Sequence, residues 1–169
     1  MEKQEIQIKL AYDEIDSIKE LFTEYRNMLV ETYKDVEGVS SCFVSFQEEL
    51  DTLKDKYALP KGRLYIAKYD GKIAGCVGLR PLDDYCCEVK RLYVRNQFRS
   101  LGIGKLLMEY IIKDGKELNY DLIVLDTFLH LERAVDLYYK LGFNEIKEYY
   151  NSPIKDVIYL GLDLNNKES

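Results

Sequence analysis

Apolar residues change their spacing several times along this chain, and each change marks an element. Ile6 to Ala11 alternates weakly between apolar and polar positions, the period of a strand. From Ile15 to Tyr33 the period lengthens: Ile15, Ile18, Leu21, Phe22, Tyr25 and Leu29 recur at helical spacing, and Asp13 or Asp16 is placed to cap the start. After the break at Gly38-Val39-Ser40-Ser41, Ser45-Phe46-Gln47-Glu48 has the S-x-x-E form in which hydroxyl and carboxylate satisfy two orphan N–H groups reciprocally. Phe46, Leu50, Leu53 and Tyr57 then line one face of a second helix, which Pro60 and Gly62 end.

After Arg63 the period drops to two. Leu64 to Tyr69, the Asp70-Gly71 turn and Lys72 to Leu79 form the clearest hairpin signal in the chain, and Tyr85 to Val94 is a third strand of the same meander. A helix follows Gly102, burying Leu106, Leu107, Tyr110 and Ile111, with Gly115 weakening its last turn. Tyr120 to Leu125 is nearly all apolar, as expected of a strand covered on both faces. Leu131 to Leu141 reads as another helix with Gly142 as its C-cap, and Phe143 to Tyr149 and Asp156 to Leu164 read as closing strands. This alternation predicts an α/β (α+β mixed) fold, a mixed sheet with helices on both faces.

The length of 169 residues suits a single domain spanning 1–169. A formal net charge of −6 disfavours non-specific binding to nucleic acid or to anionic membrane, both of which need a positive field. The charged start lacks a secretory pattern and no apolar stretch reaches about 18 residues, so a cytoplasmic protein is expected. Cys42, Cys76, Cys86 and Cys87 show no C-x-x-C spacing; reduced, mostly buried thiols and no metal site are expected.

The candidate chemistry sits where the third meander strand gives way to a helix. In Arg99-Ser100-Leu101-Gly102-Ile103-Gly104, followed by Lys105, two positions without a Cβ let backbone N–H groups approach an anion, the first helical turn adds a favourable dipole, and Arg99 adds charge. No G-x-G-x-x-G follows the first strand, so a dinucleotide fold has little support.

Leu92-Tyr93-Val94 followed by Arg99-x-x-Gly102-x-Gly104, and farther on Ala134-x-x-Leu137-Tyr138-x-x-x-Gly142-Phe143, resembles the Gcn5-related N-acetyltransferase (GNAT) family over nearly the full chain. The resemblance implies a mostly antiparallel sheet of six to seven strands, splayed between the fourth and fifth, with acetyl coenzyme A bound at the splay and its acetyl group passed directly to an amine. Cofactor contacts are then implied for Leu92, Tyr93, Val94 and the run Arg99, Ser100, Leu101, Gly102, Ile103, Gly104 and Lys105, with the Val94 N–H directed at the thioester carbonyl. Glu88 is the implied general base, direct or through water, and Tyr138 the general acid for the leaving thiolate. Glu88 lies six residues before Val94, an even spacing that puts both on one face of a regular strand; a bulge between them would alter that phase.

Where many family members have an asparagine touching the cofactor, three residues before the alanine of the second motif, this chain has Leu131. His130 reads as a surface or helix-capping residue. By family geometry, the acceptor would meet Phe22, Tyr25 and Arg26, the run Arg80 to Asp84, and the run Tyr149 to Pro153 with Asn151 in it; Arg26 and Arg80 would suit a carboxylate, and Asp83 and Asp84 a second cationic group. The expected acceptor is a small-molecule or peptide amine. A catalytically silent acetyl coenzyme A sensor, or an acyltransferase with another donor or a hydroxyl acceptor, would use the same fold. Exposed apolar surface on the closing strands would indicate a homodimer.

Overall fold

The computed structural model describes residues 5–39, 43 and 45–165. Its elements follow the order β1 (Ile6–Leu10), α1 (Ile15–Thr32), α2 (Phe46–Asp51), α3 (Leu53–Lys56), β2 (Arg63–Tyr69), β3 (Lys72–Pro81), β4 (Cys86–Val94), α4 (Ile103–Glu117), β5 (Leu122–Phe128), α5 (Glu132–Lys140), β6 (Asn144–Glu145) and β7 (Val157–Asp163). Among these residues seven strands form one sheet in the order β1-β2-β3-β4-β5-β7-β6, antiparallel except for the β4–β5 pair. No helix among them is long and apolar enough to cross a membrane.

Alternation along the strands sorts the core onto two faces. Leu64, Ile66 and Cys76 point to one side, where they pack with Ile18, Leu21 and Phe22 of α1 and with Phe46, Leu53 and Tyr57. Tyr65, Ala67, Val77 and Leu79 point to the other, against Ile103, Leu107 and Ile111 of α4 and Tyr138 of α5. The β2–β3 turn has Asp70 at φ 48° and Gly71 at φ 81°, the two left-handed positions that an Asp-Gly hairpin turn requires.

Several expectations are corrected. The helix over Phe46–Tyr57 is two short ones, broken at Thr52, whose hydroxyl donates to the Glu48 carbonyl at 2.8 Å and competes with continued helix. Ser45 makes no side-chain cap, because its φ of −93° and ψ of 13° are not the extended geometry a capping box needs. Glu14, not Asp13 or Asp16, holds the α1 N-cap position, and its carboxylate is taken by Lys9 at 2.9 Å and Lys68 at 2.8 Å. The strand expected over Phe143 to Tyr149 is only β6, because ring packing of Tyr149 and Tyr150 on Tyr159 replaces pairing there. Cys76 and Cys87 are buried free thiols and Cys86 is partly exposed; Cys42 lies outside the described residues.

The most consequential irregularity is in β4. Cys76 pairs with Tyr93 and Gly78 with Lys90, so Val77 alone faces both Arg91 and Leu92. Arg91 takes φ 60°, a left-handed conformation rare for a non-glycine residue. The extra residue reverses the phase of the strand: Glu88, Lys90 and Tyr93 face α1, whereas Leu92 and Val94 pack on the α4 side. Glu88 and Val94 therefore do not share a face.

Glu49 of α2 secures this bulge. Its carboxylate accepts from Arg91 Nη2 at 2.7 Å and Nε at 3.3 Å, and from the Tyr57 hydroxyl at 2.9 Å. Gly78 makes room for that tyrosine, since a Cβ there would meet the Tyr57 ring at 2.7 Å. Burial opposes ionisation of Glu49, but the Arg91 charge and hydrogen bonds, with Lys56 and the Tyr57 hydroxyl, outweigh it and hold the carboxyl at about 2 instead of its ordinary 4.5. A depressed carboxyl stabilises the fold above its unfolded pKa, and that contribution is lost as pH falls through the folded value. Urea unfolding should therefore show roughly 3 kcal/mol of Glu49-dependent stability disappearing between about pH 4.5 and about pH 2. In Glu49→Gln this portion of the pH dependence should be absent, with lower stability at neutral pH.

Candidate active site

β4 and β5 pair over three positions, Cys86–Leu122, Cys87–Ile123 and Glu88–Val124, and then part. Beyond this point β5 continues to Phe128 against β7 alone, leaving the remainder of β4 facing a gap. Two cavities open at the gap, of about 610 Å³ and about 380 Å³, and Tyr25 of α1 and Thr127 of β5 line both.

The larger cavity runs along the end of β4 and the start of α4. Leu92, Tyr93, Val94, Arg99, Ser100, Gly102, Ile103, Gly104 and Lys105 line it, with His130, Leu131, Arg133 and Tyr138 opposite. Leu101 is not part of this wall; its side chain is 41% exposed. Ser100 (φ 66°) and Gly102 (φ 85°) are both left-handed, turning the chain tightly into α4. The first bond of that helix runs from the Leu106 N–H to the Gly102 carbonyl, so the N–H groups of Ile103, Gly104 and Lys105 have no partner inside the helix. Three main-chain donors at a helix start, beside Arg99 and Lys105, make an anion cradle. A Cβ on Gly102 would meet nothing within 4 Å, so glycine serves the backbone angle there; one on Gly104 would make ordinary contacts with Leu137 and Val94. Arg99 Nε donates to the Val94 carbonyl at 3.2 Å, tying the cradle to the end of β4.

Tyr138 is buried among apolar groups and lines this groove, and no side-chain hydrogen bond holds its hydroxyl among the described residues. Burial, with Tyr25 and Asp126 nearby, pushes its phenol well above the ordinary value, so it is neutral and able to donate. Leu131 occupies the groove wall and packs with the Leu29, Val39 and Phe128 cluster, an apolar contact in place of a polar one. His130 also lines the groove, stacked on Tyr33 and 3.2 Å from Asp156.

Glu88 faces the smaller cavity and is 1% exposed. Arg80 Nε donates to its Oε1 at 2.7 Å and the Tyr149 hydroxyl to its Oε2 at 2.5 Å. Burial raises its pKa, but Lys90, Tyr149 and Arg80 together override this and leave the carboxyl below its ordinary value. It is a carboxylate at neutral pH. Across the gap, Asp126 of β5 accepts from the Tyr150 hydroxyl at 2.5 Å. The segment 146–156 thus supplies a tyrosine to each carboxylate, and Ser152, Pro153 and Ile154 to the cavity wall.

Of the expected acceptor residues, Tyr25 and Arg80 line the cavity and Tyr149 backs it through Glu88. Phe22 does not; it is 0% exposed, edge-on to the Tyr57 ring in the core. Arg26 lies over the Phe46 ring and bonds Asn27, and Asn151 is exposed outside the wall. Asp83 accepts the N–H groups of Tyr85 and Cys86 at 2.7 Å, and Asp84 pairs with Lys61 at 3.1 Å, so both are engaged in the turn. Tyr150, Ser152 and Pro153, which line the wall, fall within the expected run Tyr149 to Pro153, whereas Glu49, Lys56, Lys90, Arg91 and Asp126 were missed. Of these, Lys90 alone had a signal, the same-face spacing from Glu88.

The Acetyltransferase (GNAT) family model matches residues 19–143. The chain belongs to the GNAT family. It is 33% identical over 221 aligned positions to an uncharacterized N-acetyltransferase of Dictyostelium discoideum, covering 94% of this chain and 99% of the relative. An uncharacterized N-acetyltransferase of Schizosaccharomyces pombe is 39% identical over 140 positions, covering 82% and 86%. A GNAT-family acetyltransferase from Staphylococcus aureus Mu50 superposes with a TM-score of 0.76 at 25% identity, over 95% of this chain and 100% of that one. Other proteins of this fold have been solved holding acetyl coenzyme A or coenzyme A. The GNAT cofactor fits the cradle: its diphosphate needs converging main-chain donors and positive charge, and residues 99–105 offer both. A Gly102→Ala change would put a Cβ on a left-handed backbone, costing about 1–2 kcal/mol in that conformation or turning the donors away. Calorimetry should show coenzyme A affinity reduced about tenfold in this variant; unchanged affinity would exclude the loop from the site.

Proposed function

We propose that this GNAT acyltransferase moves acetyl from acetyl coenzyme A directly to a primary amine of a small molecule, amino acid or peptide. The observation that carries the reading is the meeting of the two cavities at Tyr25 and Thr127, with Glu88 in one and Tyr138 in the other. A carboxylate on the acceptor side and a neutral phenol on the donor side are groups that can serve amine acylation by a thioester as general base and general acid.

The cofactor supplies an activated acyl thioester. Residues 99–105 would grip its diphosphate, and the Leu92 and Val94 carbonyls its pantetheine amides. Engaging the Val94 carbonyl would release Arg99, which now donates to it, towards the diphosphate. The Val94 N–H would steady the oxygen on which negative charge grows. Glu88 would draw the proton from the acceptor ammonium; because Arg80 and Tyr149 occupy both of its oxygens, water is the better carrier than direct contact. Tyr138 would donate its proton to the departing thiolate. A second reading exchanges Asp126 for Glu88, favoured by its place on the same cavity wall with a single hydroxyl partner.

Glu88→Gln should lower kcat by about a hundredfold at saturating acceptor, with acetyl coenzyme A affinity retained. Asp126→Asn should have the larger effect if the second reading holds. Tyr138→Phe should reduce kcat more than it weakens cofactor binding; an unchanged kcat would remove the phenol from the mechanism.

A further inference from the structure

Among the described residues the acceptor cavity is lined by four cations, Lys56, Arg80, Lys90 and Arg91, and three carboxylates, Glu49, Glu88 and Asp126. Its wall is therefore net positive in a chain whose formal charge is −6. The cations divide into two kinds. Both guanidiniums are locked to carboxylates at 2.7 Å, Arg80 on Glu88 and Arg91 on Glu49. Both ammonium groups are loosely held. Lys90 Nζ stands 3.9 Å from Glu88 Oε1 and 3.9 Å from Asp126 Oδ1, beyond hydrogen-bond reach of either, with its side chain 18% exposed. Lys56 Nζ is 3.7 Å from Glu49 Oε1, an oxygen already taken by Tyr57 and Arg91.

An ammonium has three donors, and partly desolvated donors without acceptors are costly until an oxygen is brought to them. Burial lowers the proton affinity of Lys56, and the positive charges of Arg80, Lys90 and Arg91 add to that against the pull of Glu49. A ligand anion would give both ammonium groups a nearer acceptor than the carboxylates now do and would offset this repulsion. A ligand with a second cationic group would instead meet carboxylates already held by guanidiniums or tyrosine hydroxyls. The rest of the wall mixes Ser45, Thr127 and Ser152 with an apolar stretch that includes Phe43, Phe46, Phe128 and Ile154, and the volume of about 380 Å³ is that of a small-molecule site.

We infer that the acceptor is an amine that also carries a carboxylate, an apolar amino acid, with the carboxylate held by Lys56 and Lys90 and the side chain against the phenylalanine wall. This rests on the N-acetyltransferase reading above. Thiol release from acetyl coenzyme A is measured with a panel of apolar amino acids and their matched carboxamides, for wild type, Lys56→Met and Lys90→Met, with coenzyme A affinity reporting that each variant is folded. Wild type should favour the acids in kcat/KM by about ten- to hundredfold, mainly through KM. The preference should shrink towards parity in each variant and return in Lys90→Arg. Amides used as well as acids by wild type, or a preference that survives both methionine variants, would overturn the carboxylate site while leaving N-acetylation standing. Thiol release with no acceptor in the panel, alongside release with amines that lack a carboxylate, would do the same; no release with any amine would overturn the N-acetyltransferase reading itself.

Discussion

The buried pair of Glu49 and Arg91 decides how the middle of this protein is arranged. A left-handed arginine in a central strand is unfavourable by itself and persists only where its surroundings hold it. Here a carboxylate from α2 bonds two guanidinium nitrogens, the Phe43 ring lies 5.5 Å from the guanidinium, and Cys76 donates its thiol to the Arg91 carbonyl. Removing either partner leaves an uncompensated charge inside, the costly way to break such a pair. The bulge it secures turns Leu92 and Val94 towards α4 and the larger cavity, while Glu88 and Lys90 stay with the smaller one. One inserted residue thus divides a single strand between the two halves of the site.

Much of this was legible because it is local. The Asp70-Gly71 turn, the left-handed Gly102 ahead of α4 and the Gly142 turn, where the Phe143 N–H reaches the Tyr138 carbonyl at 3.0 Å, are written in residues whose backbone preferences are strong. Nine of the ten expected cofactor residues line the larger cavity for the same reason: the cradle is one continuous stretch. The bulge carried no such mark, since the residue at positive φ is an arginine held from a distance of 42 positions in sequence. The acceptor wall was hidden for a related reason. Lys56, Glu49 and Asp126 come from three separate elements and become neighbours only through the packing of helices on the sheet.

The abundance of tyrosine has a structural account in part. Tyr149, Tyr150 and Tyr159 pack as a triangle with centroid separations of 5.3 to 5.6 Å, and the Tyr159 hydroxyl donates to the Tyr150 carbonyl at 3.0 Å. Each ring fills apolar space while its hydroxyl reaches a polar partner, the combination that buried tyrosine offers and phenylalanine does not. Tyr57 does the same beneath Gly78, linking the core to Glu49.

The segment 146–156 joins β6 to β7, carries the tyrosines that bond Glu88 and Asp126 and contributes three further wall residues. The turn at residues 99–105 lines the larger cavity instead, and no residue of segment 146–156 does so. Part of the smaller cavity's wall is thereby carried by a piece of chain that the larger cavity does not use. A lineage could reshape that part of the wall by altering one surface excursion, with the sheet and the turn at residues 99–105 inherited intact.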